Sequence, residues 1–197
     1  ELTALSQFCR EHDLLLFLDG ARLGSALASP ASDLTLPDLA ELTDAFYIGG
    51  TKNGALMGEA LVIANPALQP DFFRIKKRLG AVLAKGWLMG LQFYTLFQNG
   101  LYFDLARRAD RQAMEIKAAF QKAGIPLWVD SPTNQQFAVV SREQEAALGK
   151  DFIFELSHAV DAQHNCIRFC TSWSTRDEEV AALIAAIESL PGCEEAK

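Results

Sequence analysis

Two polar residues, Asp19 and Lys52, each follow an apolar run of the sequence. Asp19 ends the continuously apolar segment 14–18, and Lys52 comes shortly after a second apolar segment, 45–48. Runs of this kind are typical of parallel strands that are covered on both faces. If the two strands are neighbours, the carboxylate and the amine lie at the same edge of a sheet, where α/β proteins bind their ligands. The pair therefore predicts an active site.

Three interpretations of Lys52 can be compared. A phosphate-binding loop would place the lysine after a longer glycine-rich loop and before Ser or Thr, whereas here Thr51 precedes it and Asn53 follows it. This first interpretation fails. The second is an ordinary exposed loop lysine. The third is an amine in a desolvated site, where burial lowers its pKa and allows it to form a Schiff base.

Asp19 favours the Schiff-base interpretation of Lys52. A carboxylate placed against a pyridine nitrogen keeps that nitrogen protonated, so the ring can accept electrons released at an adjacent carbon. An aspartate and a lysine at the ends of neighbouring strands therefore suit pyridoxal 5′-phosphate (PLP). The alternative for Asp19 is a helix N-cap, because an Asp-Gly pair at the end of a strand caps a helix well.

The elements that must position this pair follow a strand–helix–strand order, which predicts an α/β fold. The helix is expected over 33–43, with Pro37 tolerated in its first turn. A right-handed crossover of this kind makes the strands on either side of the helix parallel neighbours. The predicted strands of this part of the chain are 14–18, 45–48 and 60–63.

After residue 70 the pattern becomes helical. A basic helix is predicted over 71–80. The following segment, 81–98, is apolar almost all round, so we expect a helix that is buried in the domain or against a second subunit. A third helix is predicted over 101–123.

The rest of the chain reads as a small α+β unit, which predicts a domain boundary within the helical region. The two expected domains are 1–103, part of a large domain with parallel strands, and 104–197, a small C-terminal domain. In the small domain we expect strands over 127–129, 136–140, 152–156 and 166–170, and helices over 142–149 and 175–190, the last with Thr175 as its N-cap.

The composition limits the classes of partner. The chain has 197 residues, half of them hydrophobic, and a formal net charge of −7. Most of such a surface would repel a polyanion, so we expect neither nucleic acid nor an anionic membrane as partner. No segment approaches the roughly 20 apolar residues that span a bilayer, and no signal-peptide pattern is seen. The expected location is therefore cytoplasmic.

The cysteines and the first residues carry two further expectations. Four cysteines lie mostly in apolar periodic segments, which predicts buried thiols and no metal site. The chain opens on Glu1, at the start of a predicted amphipathic helix over 1–12, which we interpret as the beginning of a C-terminal portion of a longer protein. The cysteines are Cys9, Cys166, Cys170 and Cys193.

Five segments, in order along the chain, resemble those of the low-specificity threonine aldolases. This family belongs to the superfamily of aromatic amino-acid β-eliminating lyases and threonine aldolases. The resemblance implies the aspartate-aminotransferase-like fold, PLP fold type I. The segments are Phe17–Leu23 (FLDGARL), Gly50–Gly54 (GTKNG), Arg74–Gly80 (RIKKRLG), Pro132–Asn134 (PTN) and Ile167–Trp173 (IRFCTSW).

The resemblance implies roles for four of these residues. Lys52 matches the lysine that forms the internal aldimine with PLP, and Asp19 matches the aspartate that pairs with the pyridine nitrogen. Arg22 matches the arginine beside the phenolic oxygen of the cofactor and the substrate carboxylate. Arg168 matches the arginine that holds the α-carboxylate of the substrate, a task suited to a planar fork of donors. The alternative for Arg168 is a salt bridge at the rim of the sheet.

The resemblance also implies contacts to the cofactor from Thr51, which precedes Lys52, and from Lys85. The basic segment that reaches across a dimer to the cofactor phosphate in this family falls around residues 78–85. Here it lacks the family pattern of glycines followed by arginine, and Lys85 is the nearest base. A solvated surface is the alternative for Arg74–Arg78. None of the three histidines matches the family's ring-stacking histidine.

The activity implied by the resemblance is the retro-aldol cleavage of a β-hydroxy-α-amino acid to glycine and an aldehyde. For threonine or allo-threonine the aldehyde is acetaldehyde. The expected partners are a small amino-acid substrate and further copies of the chain, as a homodimer or homotetramer. Two alternatives remain. One is PLP-dependent β-elimination from an amino acid, and the other is a folded but inactive portion of such an enzyme.

Overall fold

The computed structural model describes residues 1–192, which form two compact units. The first unit comprises Glu1–Leu27 and Ser32–Phe103, and the second comprises Ala28–Ala31 and the described residues from Asp104 onward. In chain order the elements are α1 (Leu2–Glu11), β1 (Phe17–Leu18), α2 (Leu23–Ala28), α3 (Leu36–Leu42), β2 (Ala45–Gly49), β3 (Glu59–Ile63), α4 (Phe72–Arg78), α5 (Trp87–Phe97), α6 (Leu101–Lys122), β4 (Gln135–Ser141), α7 (Arg142–Leu148), β5 (Glu155–Ala159), β6 (His164–Cys170) and α8 (Asp177–Glu188).

The first unit contains a three-stranded sheet in the order β1-β2-β3. Strands β1 and β2 are parallel, as the sequence predicts, with Leu18 paired with Phe46. Strand β3 runs antiparallel to β2. Parallel pairing matters for function because it brings the carboxyl ends of β1 and β2 to one edge of the sheet.

Helix α3, the second of the two helices between β1 and β2, has a well-defined start. The side chain of Thr35 accepts a hydrogen bond from the backbone N–H of Asp38, and the Asp38 carboxylate accepts one from the Thr35 backbone N–H. This capping box satisfies two backbone donors at the helix end. Pro37 lies in the first turn, where its missing N–H costs nothing. The helix is therefore shorter at both ends than the predicted segment 33–43.

The first predicted strand differs from the structure. Only Phe17 and Leu18 of segment 14–18 form a strand. Leu15 is 62% exposed and Phe17 is 58% exposed, so the strand is not covered on both faces by the described residues. The strand also has only one neighbour among the described strands, since β1 lies at the edge of the sheet.

The apolar segment 81–98 also differs from its prediction. Helix α5 begins at Trp87, because residues 81–86 form a loop and turns, and it ends at Phe97. It is not buried within the first unit: Trp87 is 64% exposed, and Leu88 and Leu91 are about half exposed, whereas Phe93 and Leu96 point into the core. The exposed side is thus as apolar as the buried one.

The second unit contains an antiparallel sheet in the order β4-β6-β5. One face of this sheet packs on α6 and α8 around a core that includes Phe120, Ile167 and Ile187, all of which are almost fully buried. The alternating burial of β4 follows from this packing on one side, as expected for a sheet with one covered face.

Three predictions in the second unit need correction. Segment 127–129 forms only an isolated bridge, from Leu127 to Ala138. The strand predicted over 152–156 lies further along, at Glu155–Ala159, and has an irregular register. Thr175 is not the N-cap of α8. Its hydroxyl accepts a hydrogen bond from Ser172 N–H in the preceding turn, and α8 is capped by Arg176.

The cysteines are partly as predicted. Cys9 and Cys166 are buried free thiols, whereas Cys170 is exposed because it ends β6 beyond the core. Cys193 lies outside the described residues. Within residues 1–192, no group of three or more His, Cys, Asp or Glu side chains could hold a metal ion. No helix in the same residues is long and apolar enough to cross a membrane.

Candidate active site

The ends of β1 and β2 bring Asp19 and Lys52 to one edge of the sheet of the first unit. Asp19 directly follows β1, and Lys52 lies in a turn of 3-10 helix, Thr51–Asn53, just beyond β2. The two chain segments approach closely here, since Gly49 N–H donates to the Gly20 carbonyl at 2.9 Å. A Cβ atom on Gly20 would lie only 1.7 Å from the Tyr47 carbonyl oxygen, so this crossing requires glycine.

Asp19 is held as a carboxylate by two donors. Its Oδ1 accepts a hydrogen bond from Ala21 N–H at 3.0 Å and another from the hydroxyl of Tyr47. The Tyr47 bond, together with the Ala21 bond and the charge of Lys52, lowers the pKa of Asp19 below its usual value. The same bond to Asp19 raises the pKa of Tyr47 to about 12. At neutral pH the pair is therefore an ionised carboxylate and a protonated phenol.

The turn that carries Lys52 rests on the buried side chain of Tyr102. Asn53 donates from Nδ2 to the Tyr102 carbonyl at 2.7 Å, and the Tyr102 hydroxyl donates to the Gly49 carbonyl at 2.8 Å. Burial raises the pKa of Tyr102 to about 12, so this hydroxyl stays a donor. Gly54 ends the turn with φ at 104°, which favours glycine. The backbone on both sides of Lys52 is thus fixed.

A carboxylate from β3 supports the same turn. Glu59, paired with Gly49 across the sheet, accepts a hydrogen bond from Gly50 N–H. The Gly50 carbonyl in turn accepts from Asn53 N–H at 2.9 Å and Ala55 N–H at 3.0 Å. Sequence reasoning missed Glu59, because its place opposite Gly49 depends on the register of β2 and β3, which the sequence does not show.

Lys52 itself is exposed. The desolvated environment expected for its amine is not provided by residues 1–192, because the side chain is exposed. The side chain forms no hydrogen bond or ion pair with a residue in this part of the chain. Its positive charge contributes to the lowered pKa of Asp19. Within residues 1–192 the structure therefore agrees with the alternative of an exposed loop lysine.

Arg22 and Lys85 occupy different environments. Arg22 lies in the turn before α2 and is half-buried, and its Nε is buried with no hydrogen-bond partner among the described residues. Such a donor is costly unless a ligand or solvent satisfies it. Lys85 is exposed in the turn before α5, and its side chain bonds to no described residue. Thr51 is also exposed, beside Lys52.

Arg168 belongs to the second unit and lies on β6, the central strand of its sheet. Its Nη1 donates to Gln135 Oε1 at 3.0 Å, and its Nη2 pairs with the Glu155 carboxylate. The Arg168 side chain is 24% exposed, and its Nε is buried without a partner among residues 1–192. The structure therefore contains a salt bridge at Arg168, which is the alternative to substrate binding given in the sequence analysis. The Nε donor of Arg168 is left unused by the described residues.

Comparisons with known proteins identify the family. The sequence profile of the beta-eliminating lyase family matches residues 1–143. This is well over half of the chain, so the chain belongs to the beta-eliminating lyase family. Members of this family, and the threonine aldolases related to it, depend on PLP.

Within that family the similarity is to threonine aldolases. The solved threonine aldolase of Leishmania major is 43% identical, with a TM-score of 0.92 over 95% of this chain and 55% of that chain. The low specificity L-threonine aldolase of a Pseudomonas species is 29% identical over 96% of this chain and 54% of its own length. The chain thus spans about half the length of these relatives. The resemblance seen in the sequence is confirmed.

The fold class is confirmed by a more distant structure as well. The serine palmitoyltransferase of Sphingomonas wittichii matches 95% of this chain with a TM-score of 0.66 at 11% identity. Identity this low shows the fold alone. Together with the threonine aldolase it identifies the α/β architecture as PLP fold type I.

Proposed function

We propose that the protein is a PLP-dependent lyase that cleaves the Cα–Cβ bond of β-hydroxy-α-amino acids. Threonine and allo-threonine would give glycine and acetaldehyde. The single observation that carries the proposal is the placement of Asp19 and Lys52 beyond the ends of two parallel strands, at one sheet edge. Because the chain spans about half the length of its relatives, the activity of the whole protein is part of the proposal.

The donor set at this edge fits PLP. The ionised Asp19 has one oxygen, Oδ2, that accepts no hydrogen bond from the described residues, and it would hold the protonated ring nitrogen. The unbonded amine of Lys52 would hold the cofactor covalently. The orphaned Nε of Arg22 would donate to an anionic oxygen of the cofactor or substrate. Thr51 would contact the cofactor. Lys85 would reach across a dimer and bind the cofactor phosphate of a second copy as a point charge.

Each residue then has a task that its chemistry suits. When bound, PLP supplies a protonated pyridine ring that takes up the electron pair released by the breaking Cα–Cβ bond. Asp19 stabilises the positive charge on that ring. Arg22 orients the α-carboxylate of the substrate so that the bond to be broken is correctly placed. A base must take the proton of the β-hydroxyl group, and the chain offers no histidine matched to that role.

We propose that Arg168 binds the α-carboxylate of the substrate. Two features support this role. The Nε donor of Arg168 is buried and unsatisfied among the described residues, and the partner carboxylate, Glu155, is 64% exposed. Because the Glu155 side chain is mostly exposed, solvent screens its charge and a ligand carboxylate can compete for the guanidinium. A substrate carboxylate would then replace Glu155 on the guanidinium.

The reaction class is tested by the products. We expect the PLP-loaded protein to release acetaldehyde and glycine in equal amounts from threonine and allo-threonine, measured by a coupled aldehyde assay and amino-acid analysis. The second candidate is β-elimination, and it is supported by the match of residues 1–143 to the beta-eliminating lyase family. It would instead release indole from tryptophan or phenol from tyrosine. Release of indole or phenol without acetaldehyde would contradict the aldolase proposal.

We also propose that the protein is a homodimer or homotetramer. The support is the α5 surface, defined here as the exposed side chains of Leu83, Trp87, Leu88 and Leu91. Contiguous apolar surface of this kind is typical of protein interfaces, because monomers rarely leave it open to water. A second copy of the chain would cover it.

Replacing Leu91 with glutamate tests this interface. We expect the wild-type protein to sediment as a dimer or larger in analytical ultracentrifugation, and Leu91→Glu to weaken the association at least tenfold, because it buries a charge in an apolar contact. Ile153→Glu, at a fully exposed position of the second unit, is the matched control and should sediment like the wild type. A monomeric wild type would contradict the proposal.

A further inference from the structure

The two carboxylate oxygens of Asp19 are used unequally. Both hydrogen bonds that Asp19 accepts from described residues, from Ala21 N–H and from the Tyr47 hydroxyl, fall on Oδ1. Oδ2 accepts none from the same residues. A carboxylate held through one oxygen by two donors in different elements has its plane fixed, and its second oxygen then points in a defined direction.

Tyr47 reaches Asp19 because of the strand register. Leu18 pairs with Phe46 across the parallel strands, so Asp19 and Tyr47 occupy the next level of the ladder. The Tyr47 ring is half-buried and packs beside the ring of Phe17, at 6.2 Å between centroids. The phenol is therefore held in place by two features, the position of Tyr47 in β2 and the contact of its ring with Phe17.

We infer that Tyr47 is a positioning residue for Asp19, holding Oδ1 so that Oδ2 faces the ring nitrogen of PLP. The inference rests on the proposed function, since it assigns Tyr47 a task only where Asp19 pairs with that nitrogen. Tyr47 acts through Asp19 and does not itself touch the reacting atoms. No residue other than Ala21 shares the task within the described chain.

The role is one of orientation and not of charge. The bond from Tyr47 lowers the pKa of Asp19, and the pKa of a free carboxyl is already far below neutral. Asp19 is therefore ionised at pH 7 with or without Tyr47. Removing the Tyr47 hydroxyl leaves the negative charge of Asp19 in place but allows the carboxylate to rotate. PLP binding is then weakened because Oδ2 no longer has a fixed orientation towards the ring nitrogen.

The test compares Tyr47→Phe with the wild type in two measurements. The first is the pKa of Asp19 without cofactor, from the carboxyl carbon shift in NMR, which we expect to rise towards its ordinary value. The second is the dissociation constant for PLP from the quenching of protein fluorescence, which we expect to increase roughly fivefold to tenfold. Tyr94→Phe, on an exposed tyrosine of α5, is the matched control.

A double-mutant cycle separates positioning from a structural effect. If Tyr47 acts through Asp19, adding Tyr47→Phe to Asp19→Ala, which removes the oxygen that Tyr47 binds, weakens PLP binding no further. Additive losses would overturn the inference, and so would an unchanged pKa and dissociation constant in Tyr47→Phe. Failure of the wild type to bind PLP would instead overturn the proposed function, which makes the two failures distinguishable.

Discussion

Replacing Lys52 with alanine is expected to abolish covalent attachment of PLP and to lower the rate of threonine cleavage by about a thousandfold or more. The reason is chemical, since the amine of Lys52 is the nucleophile that the site offers at the edge shared with Asp19. Activity is measured as acetaldehyde release, and attachment as the visible absorption of the protein after removal of free cofactor.

The Lys52→Ala result can be separated from misfolding. The Lys52 side chain is exposed and forms no hydrogen bond or ion pair with residues 1–192, so its loss should leave the unfolding temperature unchanged. Lys150→Ala, at an exposed position of the second unit, is the matched control and should keep both colour and activity. A Lys52→Ala protein that retains wild-type turnover would remove Lys52 from the mechanism.

Replacing Asp19 with asparagine is expected to lower the turnover number by roughly a hundredfold to a thousandfold. The amide has the same shape and keeps an oxygen for Ala21 and Tyr47, so the local fold is preserved. It carries no negative charge, and the pyridine nitrogen then has no anion to keep it protonated. The change is measured as kcat for threonine and as a shift in the visible absorption of bound PLP.

Asp13→Asn is a matched control for Asp19→Asn, because it also removes one negative charge from the first unit. Asp13 is exposed and has φ at 53°, a conformation that asparagine tolerates well. We expect kcat and absorption to be unchanged in this control. Equal losses in the two variants would mean that net charge, and not the carboxylate at Asp19, explains the effect.

The position of the candidate site followed from the sequence because the apolar runs and the residues that end them are local features. The run before Asp19 and the run before Lys52 predicted parallel neighbours, and the pairing of Leu18 with Phe46 agrees with that. Chemistry at one sheet edge could therefore be expected from these runs alone, although the roles of the residues themselves remain proposals.

The partners of Asp19 could not be read in the same way. Tyr47 lies 28 residues away in the chain, and its contact with Asp19 depends on the register of two strands. The apolar run fixes which residues form a strand, but a parallel pair can slide by whole residues without a change in composition. A side chain that supports the site from the neighbouring strand is thus visible only when the register is known.

The errors at element ends and on the surface have a different cause. Thr175 has the type of an N-cap residue, but its hydroxyl is used by Ser172, and Arg176 takes the cap. The segment around Trp87 is apolar enough to be a core helix, yet it is exposed in the first unit. The sequence indicates that such an apolar surface is covered in the folded protein. It does not show whether other parts of the same chain or a second copy of the chain cover it.

The most direct test of the central claim is to find the residue that carries PLP. The protein is incubated with PLP, reduced with borohydride, digested and analysed by mass spectrometry. We expect the reduced cofactor on the peptide that contains Lys52 and its absence from the Lys52→Ala protein. Cofactor found on another residue, such as Lys85, or on no residue, would contradict the claim that Lys52 and Asp19 form a PLP site.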